Sequence, residues 1–399
     1  MFKQSTAQRN PLAVAVVYLS AFLQGLTVVS FPASSAILKQ MHGFTDAQYG
    51  AIFLPQVALA IVGAVSGGAL ARRSGLKRLL WLAVLGNGLS QLALAASAWM
   101  IPGIAFPAIL LGTALLGFSF GLGGAPLNSY PPLFFPSRRH TAVVALHTLL
   151  GFGLAVGPLL VGVFMDAGIW VGFPLLLLAL SALLTLAAAA VPLPADPVVA
   201  TDVRSAAKLP VASVSFWLFA IIAVTYAFAE GTFSNWAVIY LHESKNLPEQ
   251  TAALALSMFW GALVLGRLLV SVLVVRIAPQ MIWMALPLLM ISAFLLLPFA
   301  DTVALGLSLF GLAGLACSAF FPLTVTLASE RFPDHVAWVS SMLIAALMVG
   351  VGLGSFVIGS LRDWLPLEQL YRLSAGYPVL VIGLALGLVG VRRRRVAAA

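Results

Sequence analysis

Twelve apolar stretches, each long enough to cross a lipid bilayer, occupy nearly all of this 399-residue chain. A spanning helix needs about 20 mostly apolar residues. The stretches fall near 12–38, 49–71, 79–100, 104–134, 142–165, 169–191, 212–241, 251–275, 281–300, 302–329, 337–361 and 373–391. Charged residues make up 8% of the chain and hydrophobic residues 61%, whereas a soluble domain carries about 25% charge. A globule of this composition has too little polar surface to face water, which excludes soluble enzymes and nucleic-acid-binding domains. In hydrocarbon every backbone N–H and C=O needs an internal partner, so the expected fold class is an all-α membrane protein. The first stretch is too long for a signal peptide and no small-residue cleavage site closes it.

One connection is long and polar. Residues 192–211 hold four prolines and four charged side chains, a composition that does not continue a lipid-facing helix. It divides the chain into a six-span bundle at 1–191, a linker at 192–211 and a second six-span bundle at 212–399. Basic residues are distributed unevenly between the connections. With the N-terminus placed in the cytoplasm, sixteen of the 21 lie on the inner side and four on the outer. The positive-inside rule then predicts that both termini are cytoplasmic, in a plasma membrane, or the inner membrane of a bacterium. The Arg392–Arg395 run reads as a stop for the last helix, with contact to lipid headgroups as the other reading. The single cysteine, Cys317, excludes an internal disulfide and a multi-cysteine zinc site. No metal or cofactor is expected.

The halves repeat. At a constant offset of 197, Phe135-Pro136 matches Phe332-Pro333, Gly153 matches Gly350, Gly157 matches Gly354, Gly162 matches Gly359 and Asp166 matches Asp363. A parallel repeat about an axis along the membrane normal is one design of membrane carriers. The expected architecture is therefore two pseudo-symmetric six-helix bundles.

These features resemble the major facilitator superfamily over essentially the whole chain. Gly68-Ala-Leu-Ala-Arg72-Arg73-Ser-Gly75-Leu-Lys77-Arg78 is similar to the superfamily's signature loop after the second span. That loop normally has Asp where this chain has Arg72, so the usual charge relay is missing or rearranged here. Within the superfamily the chain is most similar to fucose-permease-like sugar porters. The likeness is carried by Asn128, Pro136 and His147-x-x-x-Gly151-x-Gly153-x-x-x-Gly157-Pro158. It extends to Ala229-Glu230-Gly231…Asn235-Trp236…Tyr240-Leu241 and Phe259-Trp260-Gly261…Gly266-Arg267. The Gly157-Pro158 stretch is also similar to the fifth-span motif of proton-coupled exporters. The resemblance implies transport by alternating access.

A charge at membrane depth costs about 3 kcal/mol or more, so it is rare and usually functional. Of the twelve acids, eleven fall in connections or at span ends, and only Glu230 is deep. It stands 11 residues from the outer end of the seventh stretch, or about 17 Å at the helical rise, near the midplane. Tyr226 and Ser234 share its helical face. A carboxyl group there is either protonated, because desolvation disfavours its charged form, or ionised beside a cation or hydrogen-bond donors. A group that alternates between those states couples protons to transport, and the rival reading is a fixed helix–helix contact. Arg267 is the only basic residue inside a span. It is read as a gating contact near the inner face, or as a partner for Glu230 or an anionic solute. His147, with an ordinary pKa near 6.5, is placed with Arg72, Arg73 and Arg267 among the gating and relay candidates. Gln24, Gln56, Asn128, Tyr226, Asn235 and Trp236 are the candidates for the cavity wall, where amides bind hydroxyls and aromatic faces stack on rings. For each of them the alternative is packing between helices.

No G-x-x-x-x-G-K-[ST] or H-E-x-x-H pattern occurs, so neither nucleotide-driven transport nor intramembrane hydrolysis has its chemistry. The expected function is secondary active transport, as a monomer, of a small hydroxylated solute such as a sugar, coupled to protons. A proton-driven exporter of amphiphilic drugs or lipids is the first alternative. A non-transporting receptor or scaffold on the same fold is the second.

Overall fold

The computed structural model describes residues 10–194 and 210–397, with the side chains of residues 68, 69, 72, 140, 337 and 389–397 left undescribed. Most of the 192–211 linker and the side chains of Arg392–Arg395 therefore lie outside the described residues. Among the described residues there is no strand, and twelve helices are long and apolar enough to cross a membrane. They are Pro11–Val28 (α1), Asp46–Gly67 (α2), Leu76–Ser97 (α3), Pro102–Phe134 (α4), Thr141–Asp166 (α5), Gly172–Ala190 (α6), Val214–Asn235 (α7), Glu249–Leu273 (α8), Pro279–Phe299 (α9), Val303–Arg331 (α10), Trp338–Leu361 (α11) and Leu367–Leu388 (α12). The chain is an integral multi-pass membrane protein. Large apolar side chains stand outward on both units, Leu186 at 68% exposure and Val275 at 82%, as suits a surface bathed in lipid.

The chain forms two compact units, residues 1–45 with 52–201, and residues 46–51 with 202–399. In the first unit α1 packs on α5 where Gly25 meets Gly153, and α2 packs on α4 through Gly63, Gly117 and Gly121. In the second, α7 packs on α11 at Gly350 and Gly354, and α8 packs on α10 at Gly314. The same helix pairs thus close in each half. A methyl group at Gly117 or Gly314 would overlap the backbone of Gln56 or Phe259 respectively. Small residues let backbones approach this closely where lipid supplies no hydrophobic drive between helices.

The repeat extends to single dihedral angles. Phe135 ends α4 at φ −127°, ψ 67°, and Phe332 ends α10 at φ −128°, ψ 64°. Each is followed by one 3₁₀ turn opened by proline, Pro136–Arg138 and Pro333–His335. Proline suits the first helical position because its missing N–H is unpaired there anyway.

Three helices depart from the simple reading. The first apolar stretch is α1 followed by the short helices Ser30–Ala33 and Ser35–His42. The seventh breaks at Trp236 and ends in a wide turn over Tyr240–Ser244. An aromatic cluster packs around that end, with Phe233 stacked on Phe294 at 3.9 Å and Tyr240 tilted against Tyr371 at 4.3 Å between ring centroids. The tenth is two helices, Val303–Cys317 and Phe320–Arg331, joined at Ser318-Ala319.

Candidate functional site

The break in α10 follows from Pro322. An α-helix bonds each carbonyl to the N–H four residues on, and for Ser318 that residue is Pro322, which has no N–H. A carbonyl freed inside a membrane must find another donor. Arg267 on α8 supplies it, its Nε donating to the Ser318 oxygen at 3.0 Å. The neighbouring Cys317 carbonyl accepts the hydroxyl proton of Tyr226 on α7 at 2.9 Å. The Tyr226 ring is held by Phe320 and Phe321, at centroid distances of 5.1 and 6.4 Å. Three helices therefore converge on one broken turn.

Glu230 sits one turn beyond Tyr226 on α7. It is half-buried, its carboxyl faces the Tyr226 hydroxyl, and it feels the Arg267 charge through space. No ion pair closes between Glu230 and Arg267 among the described residues. Arg267 remains exposed, and beyond the Nε bond to Ser318 its guanidinium makes no further hydrogen bond among the described residues. The acid read from the sequence as deep is thus placed beside Arg267 and Tyr226, two of the residues named with it.

The other expected site residues lie elsewhere. Gln24 is 3% exposed and donates from Nε2 to the Phe120 carbonyl at 3.4 Å, joining α1 to α4. Gln56 is half-buried, and its Oε1 has no hydrogen-bond partner among the described residues. Asn128 and His147 are both exposed and are brought together, with His147 Nε2 2.9 Å from Asn128 Oδ1. The Asn128 amide donates to the Gly124 carbonyl at 2.8 Å, so its oxygen accepts and His147 carries the proton of the pair. Asn235 and Trp236 are fully covered. Asn235 donates to Ser355 Oγ at 2.7 Å, and the Trp236 ring meets Tyr49 edge-on at 5.1 Å. Arg73 is exposed. The side chain of Arg72 lies outside the described residues.

Two features escaped the sequence reading. One is the pair of α10 carbonyls, for which Pro322 was the available signal. The other is a charged cluster at the far end of the second unit, where Arg362 donates to Asp46 at 3.0 Å and to Glu243 at 2.8 Å. Lys245 pairs with Glu368 at 2.9 Å beside it. These partners are far apart in the chain, and nothing local marks them as pairs. A cavity of about 220 Å³ lined by Ser215, Phe219, Gln280, Trp283, Glu330 and Arg331 contains none of the expected site residues.

Two matched six-helix halves, glycine-faced helix pairs and a single deep acid beside a broken helix define a membrane carrier. The Major Facilitator Superfamily model matches residues 13–337, and the chain belongs to that family. It is 27% identical over 293 residues to the 3-(3-hydroxy-phenyl)propionate transporter of Escherichia coli strain K12, covering 69% of this chain and 68% of that protein. It is 28% identical over 141 residues to the glucose/mannose transporter GlcP of Bacillus subtilis strain 168, covering 35% of each. Among solved structures, the nucleoside transporter NupG superposes with a TM-score of 0.76 at 17% identity, over 94% of this chain and 99% of that one. A D-xylose-proton symporter superposes at 0.75 with 15% identity, over 94% and 96%. The chain is a transporter of small solutes and not an enzyme.

Proposed function

We propose that the protein is a secondary active transporter that carries a small hydroxylated solute together with a proton, by alternating access, with Glu230 as the proton-carrying group. The observation behind this reading is that one half-buried carboxyl has two alternative partners. The Tyr226 hydroxyl donates to the Cys317 carbonyl and can turn its one proton to an ionised Glu230; while that proton stays on Cys317, the Tyr226 oxygen is left to accept. A neutral Glu230 satisfies it by donating. An ionised Glu230 instead finds the Arg267 guanidinium close by. Each protonation state has a partner, and the choice between them is tied to the broken turn of α10 that holds both Tyr226 and Arg267.

The hydroxylated class is supported by the relatives matched in sequence, whose named substrates, glucose, mannose and 3-(3-hydroxy-phenyl)propionate, all carry hydroxyl groups. The exposed Asn128–His147 pair offers polar groups for such a solute. The helix ends bearing Lys77, Arg78, Arg138 and Arg139 face the cytoplasm in this reading, the membrane is the plasma membrane, and the unit of function is the monomer.

The test is uptake by purified protein in liposomes under an imposed pH gradient. Glu230→Gln should lose gradient-driven accumulation while still exchanging labelled for unlabelled solute. Normal pH-driven accumulation by that variant would remove Glu230 from the mechanism.

A further inference from the structure

We infer that the transported solute carries a carboxylate, and that Arg267 is the group that binds it. This inference rests on the proposed function and names the substrate class of the same site. A guanidinium stays charged in a protein. Arg267 lies six residues from the end of α8, about 9 Å into the span at the helical rise. A cation inside a span is favoured beside a counter-charge. Glu230 supplies one only when ionised, and it forms no closed ion pair with Arg267 among the described residues. Arg267 spends Nε on the Ser318 carbonyl, which fixes the plane of the guanidinium and leaves the two Nη groups side by side. That fork is the geometry which takes a carboxylate through two parallel hydrogen bonds.

The same face of α8 carries Trp260 and Ser257, seven and ten residues before Arg267. Trp260 Nε1 and Ser257 Oγ are buried with no hydrogen-bond partner among the described residues. An indole N–H is a donor only, so the group that completes it must be an acceptor. A solute with an acid at one end and hydroxyl or carbonyl oxygen at the other fits a stripe on which Trp260 and Arg267 lie about 10 Å apart along the helix. A neutral sugar would complete the Trp260 end and leave Arg267 uncompensated.

The arrangement also explains how proton and solute move together. The solute carboxylate and the Glu230 carboxylate compete for one guanidinium. When the solute takes Arg267, Glu230 loses its counter-charge, accepts a proton from the open side and donates it to the Tyr226 oxygen. One anion and one proton then cross together, with no net charge moved. On release the Glu230 proton leaves and its carboxylate returns to Arg267. No bond other than that O–H is made or broken.

The experiment is titration calorimetry on the full-length protein with two acid and neutral pairs, 3-(3-hydroxyphenyl)propionate against its amide and gluconate against glucose. At least one acid should bind more tightly than its neutral partner by about 10- to 100-fold, the range that charge-assisted hydrogen bonds give. Repeating the titration in buffers of different ionisation enthalpy should show one proton taken up per acid bound, and none with Glu230→Gln. Arg267→Gln should erase the preference for the acid and Arg267→Lys should keep part of it, with unchanged melting temperatures showing that both variants are folded. Equal binding of both acids and their neutral partners to the wild type overturns the inference and needs no variant. Glucose accumulation driven by a pH gradient, with neither acid bound, would leave the proposed function standing and sink this inference alone.

Discussion

Gly314→Ala tests the packing that brings Arg267 to the α10 break. A Cβ at Gly314 would overlap the Phe259 carbonyl oxygen and crowd the Phe259 backbone at 2.8 and 3.0 Å, where real Cβ atoms do not approach. The obstacle is backbone, which cannot rotate aside as a side chain would, so α8 and α10 must separate. Overpacking of this kind costs about 1–3 kcal/mol, and the upper half of that range applies to a backbone clash. Replacing glycine by alanine inside a helix returns about 1 kcal/mol. The net expectation is a loss of about 1–2 kcal/mol. The control is Gly383→Ala on α12, which gains the same helix propensity and meets nothing within 4 Å. Thermal unfolding of both variants in lipid nanodiscs is the assay. Gly314→Ala should melt below the wild type and Gly383→Ala at or above it. The solute affinity of Gly314→Ala should also fall, because separating the helices lengthens the bond from Arg267 to Ser318. Equal melting temperatures for the two variants would refute the account of glycine as the condition for this helix pair.

Other outcomes follow from the same geometry. Tyr226→Phe keeps the stack on Phe320 but strips the Cys317 carbonyl of its donor, and should cost about 1–2 kcal/mol as a buried acceptor left unpaired; a melt matching the wild type would show that another donor replaces it. Asn128 and His147 share a 2.9 Å hydrogen bond, so a double-mutant cycle with leucine at each position should return a coupling of about 0.5–1 kcal/mol, and strict additivity would deny the bond. His42 lies outside the spans, stacked on Phe44 at 5.1 Å and 4% exposed, and burial holds its pKa below the ordinary value. The unfolded chain therefore binds more protons than the folded one, and stability should fall as pH drops below about 6.5. His42→Phe should flatten that part of the stability curve measured by thermal melts across pH.

The sequence alone determined how many times the chain crosses the bilayer and that its halves repeat, because length, apolarity and the 197-residue offset are properties of local sequence. It also singled out Glu230 and Arg267, since a charge among apolar neighbours is legible without a fold. It did not show which faces meet. Asn128 and His147 were named for separate reasons and turn out to bond one another. Tyr226, Asn235 and Trp236 were named for a cavity wall and are covered by Phe320, Ser355 and Tyr49. Arg362 draws in Asp46 from 316 residues away. Such pairings are decided only when helices pack, because in lipid the apolar pattern runs all round each helix and no longer marks its inward face. The contacts are set instead by where glycine lets backbones touch and where proline frees a carbonyl to be claimed by a neighbouring helix.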